Sequence, residues 1–275
     1  MSVEPRTCTS GEIEAKARWV WRETLKLHKR CPETRIASSL SCVELLCVLF
    51  YGGFMRYNAR SPLWEGRDRL IISKGHGSIS YYPILADIGY IGLDQLPLIG
   101  RRECVLKAIP DSTIPGYETT NGSVGQGYGV ALGVALALDR KHSDARTFLL
   151  SGDGELFEGA CWESIMLAGH LRPQNLIAIV DANKMCMMGY CKDCIDLEPL
   201  AHKFEVFGWK AYEVDGHNVP ALSDALQRVL ADSARAPKVL VAHTRKGNGV
   251  KELETDPLCH IRTLKPELID RLVGE

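Results

Sequence analysis

An aspartate between two glycines, Gly152-Asp153-Gly154, closes the apolar stretch RTFLLS, and thirty residues after the acid Asn183 closes a second one, NLIAIVDA. An acid and a carboxamide at the ends of successive strands are suited to sharing one hard cation. Glycine at 154 lets a backbone N–H come close to a bulky anion, and the helix-like stretch that follows offers further orphan N–H groups. A carboxylate beside such an anion needs a cation between them. Mg²⁺ answers that need, because it takes six oxygens octahedrally, often from one or two side chains plus phosphates and water. Asp153, Asn183 and the backbone carbonyl of Met185 can supply the protein's share, with two diphosphate oxygens and a water completing the set. The plain alternative is a turn acid and a capping asparagine, both common after strands. GDG alone decides nothing; GDG, helix, strand and asparagine in that order favour the Mg²⁺–diphosphate clamp.

Such a clamp needs elements to hold it. RLIIS (69–73), RTFLLSGDG, NLIAIVD, KAYEVDG and KVLVAHT have the length and apolar content of strands. Helix-like character fills 11–30, 39–50, 78–89, 124–140, 159–171, 196–207 and 219–234, with a last helix from Pro266. Short apolar strands alternating with amphipathic helices imply βαβ units, hence an α/β fold with a doubly wound parallel sheet and helices on both faces. At 275 residues the chain is expected to be a single domain, 1–275. The 91–123 region, rich in Gly, Pro and Thr, reads as a long functional loop. Ligands of open parallel sheets sit beyond the carboxyl ends of the strands. That rule gathers 152–154, 181–183, Asp215-Gly216-His217 and His243-Thr244-Arg245-Lys246-Gly247 on one rim.

Composition narrows the rest. A net charge of -1 gives no footprint for nucleic acid or an anionic membrane. No apolar run reaches the 18 or so residues needed to span a bilayer, and the first twenty residues have no apolar leader, so a cytoplasmic location is the default expectation. The ten cysteines suit a reducing compartment, where buried thiols act as small hydrophobes. Cys186, Cys191 and Cys194 share the C-x4-C-x2-C spacing of plant-type iron–sulfur proteins, but the next cysteine, Cys259, is far off.

The stretches GDGELFEGACWESIMLAGHLRPQNLIAIVDANK, RLIISKGHGSISYYPILADIGYI, PGYETTNGSVGQGYGVALGVALA and PLAHKFEVFGWKAYEVDGHNV resemble, in order, the thiamine-diphosphate signatures of transketolases. The likeness covers the family's N-terminal, diphosphate-binding domain and implies thiamine diphosphate and Mg²⁺ as cofactors. It also implies roles. Asp153 and Asn183 match the metal ligands, with Met185 giving its carbonyl, and Gly154 matches the glycine on the diphosphate. His76 matches a histidine beside the phosphates, its plain alternative being a helix-cap residue. Gly122 and Val124 match backbone contacts to the aminopyrimidine. Glu158 matches an acid near the subunit junction that also serves the cofactor, and His260 the histidine ending a substrate loop. The glutamate that activates the aminopyrimidine lies in the family's next domain. The resemblance is therefore to the smaller subunit of a split transketolase, working with a pyrimidine-binding partner chain in an α2β2 assembly.

Two positions depart from the pattern. Arg35 stands where the family has a donor-contacting histidine, and Ile109-Pro110 replaces a His-Pro pair. Arginine favours a carboxylate or phosphate and isoleucine can neither donate nor accept, so non-standard donors are expected. A surface ion pair is the plain reading of Arg35. Within the enzyme class the alternative is acyloin formation by decarboxylation of a 2-oxo acid such as pyruvate. A non-catalytic assembly subunit is the alternative from another class. A nicotinamide dehydrogenase fails in context, because GQGYGVALG follows the polar TTNGS and not an apolar strand.

Overall fold

The computed structural model describes residues 7–120 and 122–274. The strands are β1 (Arg69–Ile72), β2 (Thr147–Gly152), β3 (Leu176–Ala182), β4 (Lys210–Asp215) and β5 (Lys238–His243). They form one sheet in the order β1-β2-β3-β5-β4 with every neighbouring pair parallel, so the expected doubly wound α/β fold is what the chain adopts.

Successive strand residues point to opposite faces, and both faces are apolar. Leu70, Ile72, Phe148, Leu150, Ile177, Ile179 and Leu240 belong to one buried cluster. Ile71, Leu149, Ala178, Val180, Val239 and Val241 belong to another. Helices α1 (Ser10–Arg30), α2 (Ile36–Leu40), α3 (Val43–Tyr51) and α4 (Tyr81–Asp87) precede α5 (Gln126–Arg140) and α6 (Gly159–Leu171). They are followed by α7 (Cys191–Cys194), α8 (Leu200–Val206), α9 (Val219–Ala231), α10 (Lys251–Glu254) and α11 (Pro266–Val273). Residues of α1, α3, α4 and α9 cover the first face, and those of α5, α6 and α8 the second. A third cluster joins α2, α10 and α11 to Met185 and Cys259, under the strand-end rim.

Where element bounds differ from the sequence reading, local chemistry explains it. The helix expected over 39–50 is two, broken at Ser41–Cys42, because the Ser41 hydroxyl donates to Asp181 at 2.6 Å and the Ser38 carbonyl accepts from Lys74 at 2.8 Å. The helix expected from 124 starts at Gln126, since Gly125 has φ +87°, a left-handed value no α-helix continues. Among the described residues no helix is long and apolar enough to cross a membrane.

Candidate functional site

Register brings the clamp together. In the β2–β3 ladder Gly152 lies opposite Asp181, so Asp153 and Asn183 leave adjacent strands within one residue of the same height. Asp153 is buried and accepts from the backbone N–H of Gly154 at 2.9 Å and of Lys184 at 2.6 Å. Asn183 accepts from the N–H of Met185 at 3.1 Å through Oδ1 and donates to Asp181 at 3.2 Å through Nδ2. The Met185 carbonyl accepts from the Lys246 ammonium at 3.0 Å. The two turns touch: a Cβ added at Gly154 would meet Cys186 Cβ at 3.0 Å and its Cα at 3.1 Å, so any larger residue would push them apart by a few tenths of an ångström. Carboxylate, carboxamide and carbonyl oxygens from two nested turns form a donor set that suits Mg²⁺, and one of them already faces a cation.

These groups open into a cavity of about 380 Å³. His76, Gly122, Val124, Asp153, Gly154, Asn183, Met185 and His260 all line it, which gathers most of the expected positions. The exceptions are instructive. Glu158 is exposed, caps α6 through its backbone and does not line the cavity. Glu155, three residues earlier in a 3-10 turn, lines it instead; buried, it accepts from the N–H of Gly125 at 2.9 Å and from the Ser73 hydroxyl. Arg35 is half-buried at the head of α2, outside the lining but close enough to depress both cavity histidines. Ile109 is 51% exposed and does not line the cavity.

The field is set by residues to which the sequence reading gave no role. Lys74 and Asp181 form a buried ion pair, and Asp181 also takes the hydroxyls of Ser41 and Thr244. Lys246 is buried and bonded to two carbonyls, Met185 and Cys186; burial lowers its pKa. Burial, then the charges of Lys74, Lys246 and Arg35, hold His76 down at about 4. Burial and Lys246 lead the causes that hold His260 at about 3. The two rings meet edge-on at 5.0 Å, so both are neutral at neutral pH, beside fixed ammonium groups. Burial and the neighbouring Asp181 carboxylate push Asp153 up to about 6, against the two N–H donors that favour its charge. A polyanion bound through a divalent cation would give Lys246 a counter-charge and Asp153 a cation. The rim rule had already reached 243–247; what it lacked was a reason to choose Lys246.

The family described as transketolase, thiamine diphosphate binding domain, matches residues 36–272. The chain is 33% identical over 265 residues to the 6-deoxy-6-sulfo-D-fructose transketolase subunit of Clostridium sp. (strain MSTE9), covering 96% of each. It is 32% identical over 275 residues to one of the apulose-4-phosphate transketolase subunits of Actinobacillus succinogenes, covering 99% of each. Among solved structures, the transketolase of Campylobacter jejuni aligns with TM-score 0.87 and 26% identity, over 96% of this chain. The chain spans 43% of that protein's length. Sheet, strand-end rim and relatives agree, and the chain belongs to the transketolase family.

Proposed function

We propose that this chain is the diphosphate-binding subunit of a heteromeric, thiamine-diphosphate-dependent transferase that moves a two-carbon ketol unit from a ketose-type donor to an aldehyde acceptor. The observation that carries the reading is the convergence of Asp153, Asn183 and the Met185 carbonyl from two adjacent turns, facing Lys246 and a cavity lined by neutral imidazoles. In this reading Asp153, Asn183 and Met185 hold Mg²⁺. Gly154, His76 and Lys246 take the diphosphate, and Gly122 and Val124 border the ring. When bound, thiamine diphosphate supplies the carbon nucleophile that accepts and hands on the two-carbon unit; the protein's part is to hold and orient it. His76 and His260, being neutral, can each donate one hydrogen bond and accept another at the donor's hydroxyls. Fixed N–H donors and buried ammonium groups need no rearrangement when charge develops.

Several features support a second chain. The relatives are named as subunits. Val130 on α5 and Met166, Leu167 and Leu171 on α6 are exposed, as are Met187 and Met188 at the cavity's edge. Large apolar side chains left exposed on two packed helices and beside the cavity suit an interaction site. The proposed partner is a pyrimidine-binding transketolase-like chain, two copies of each, with Glu158 at the junction, where its exposure leaves it free to meet the partner. The half-buried Arg35 beside the two histidines favours a donor carrying an extra anionic group, and the same observation supports a 2-oxo acid as the second reading. The relatives are named for 6-deoxy-6-sulfo-D-fructose and apulose 4-phosphate, which fits a donor other than xylulose 5-phosphate.

Asp153→Ala tests the reading. Mg²⁺-dependent binding of thiamine diphosphate to the assembled pair should be lost while circular dichroism stays native; unchanged affinity would sink the assignment. The chain alone should show no two-carbon transfer, and turnover by it would refute the need for a partner.

A further inference from the structure

The cysteine spacing noted in the sequence finds a use outside the clamp. Cys186 follows Met185 in a turn closed by the Cys186 N–H on the Gly189 carbonyl at 2.9 Å, and Cys194 ends the short helix α7. Their sulfurs are 3.6 Å apart, with Cys194 exposed and Cys186 half-buried. Among the described residues no group of three or more His, Cys, Asp or Glu side chains could hold a metal ion, so a cluster is not what the spacing builds. Two thiols in van der Waals contact need only a shared movement of about 1.5 Å to reach the length of an S–S bond.

We propose that Cys186 and Cys194 are an oxidant-modified pair that closes to a disulfide at the edge of the cofactor cavity and weakens binding there. A peroxide supplies the oxidising equivalents. The exposed Cys194 sulfur attacks the O–O bond, leaving a sulfenic acid and one water, and the Cys186 sulfur then displaces a second water as the S–S bond forms. Two thiols lose two protons and two electrons, and a thiol reductant reverses the step. The consequence follows from what Cys186 holds. Its Cβ backs Gly154, its carbonyl and that of Met185 share the Lys246 ammonium, and it lines the cavity. Drawing it toward Cys194 pulls the Met185 carbonyl out of the donor set. This consequence rests on the cofactor reading; the disulfide itself does not.

The test treats the full chain with hydrogen peroxide and maps the product by trypsin and mass spectrometry. Cleavage after Lys184, Lys192 and Lys203 puts Cys186 and Cys191 on one peptide and Cys194 on the next. The expected result is those two peptides cross-linked, lighter by two hydrogens, and the link persisting in Cys191→Ser. It should be absent in Cys194→Ser and reversed by dithiothreitol. In the assembled pair, Mg²⁺–thiamine diphosphate affinity should fall about tenfold or more on oxidation of the wild type and stay level in Cys194→Ser. No cross-link, or one lost in Cys191→Ser, overturns the pair. A cross-linked chain with unchanged affinity, or an equal peroxide loss in Cys194→Ser, overturns the coupling. A reduced assembled pair that binds no cofactor would fault the functional reading instead, and the cross-link would still decide the pair.

Discussion

The two ends of the cavity are held differently. At the clamp end, Asp153, Asn183, Asp181 and Lys246 are all buried and project from or just beyond strand ends, where the parallel ladder fixes their heights. At the mouth, Arg35, His260 and Met187 sit on a helix start, a 3-10 turn and a hairpin, all partly open to solvent. A group fixed by register and burial has little freedom to change its partner. A group on a loop changes its contacts with small cost to the fold. On the proposed function, cofactor binding falls to the first end and substrate choice to the second, and substitutions at each should separate along that line.

The largest effect is expected at the clamp's foundation. Asp181→Asn leaves the Lys74 ammonium buried without a counter-charge, which should cost about 3–5 kcal/mol of stability. Denaturant melts would show it directly. The double variant Asp181→Asn with Lys74→Met should recover part of the loss, because the uncompensated charge is gone. If the single variant melts like the wild type, the ion pair is not what holds this end.

Next comes Lys246→Met, which keeps the stem and removes the ammonium from the Met185 and Cys186 carbonyls. Cofactor affinity should drop about 10–100-fold with modest loss of stability, whereas Arg35→Ala should leave cofactor affinity within about twofold. Calorimetric titration of both variants, side by side, checks the contrast. Equal losses would erase the division between the two ends.

The histidines allow a pH test of the same field. His76 and His260 lie below their ordinary value of 6.5, at about 4 and about 3, so folding favours their neutral forms. Their contribution to stability is present above 6.5 and is lost as pH falls toward 4. Asp153, raised to about 6, partly offsets that loss as it takes up a proton over the same interval. Imidazole chemical shifts should therefore stay flat from pH 8 to 5 in the free chain. Cofactor and Mg²⁺ together should move the His76 midpoint upward, since a bound diphosphate opposes the ammonium charges. A midpoint near 6.5 without cofactor would contradict the burial and charge described.

How much of this was legible in sequence follows the same division. Leu176–Ala182 is buried along its whole length, and such a run announces a central parallel strand; once the strands are known, Asp153 and Asn183 fall on the rim with no further information. Glu155 and Glu158 show the limit. Both are glutamates after GDG, and which one turns inward depends on a 3-10 turn ending at Phe157 before α6 begins, a choice of hydrogen-bond pattern that residue types do not encode. The break between α2 and α3 was hidden for a related reason: Ser41 is drawn to Asp181, 140 residues away. Lys246 was on the rim from the outset, but its role needed the Met185 carbonyl in place.

The smallest effect concerns Ile109, and it separates resemblance from geometry. By resemblance, Arg35 and Ile109 both stand where transketolases carry donor-reading histidines, so restoring either histidine should shift donor choice. In the structure they are not equivalent. Arg35 acts on His76 and His260 through space, whereas Ile109 is half-exposed and outside the cavity's lining. A buried donor hydroxyl that gains or loses a partner is worth about 1–3 kcal/mol, or roughly one to two orders of magnitude in specificity; a surface substitution moves free energies by no more than about 0.5 kcal/mol. In the reconstituted pair, Arg35→His should raise kcat/KM for xylulose 5-phosphate relative to an anionic or deoxy donor by about tenfold. Ile109→His should change that ratio by about twofold or less. A donor panel on the two variants decides it. If Ile109→His moves the ratio as far as Arg35→His, the 109 loop closes over the donor in the assembled enzyme and the mouth extends further than the cavity of the free chain.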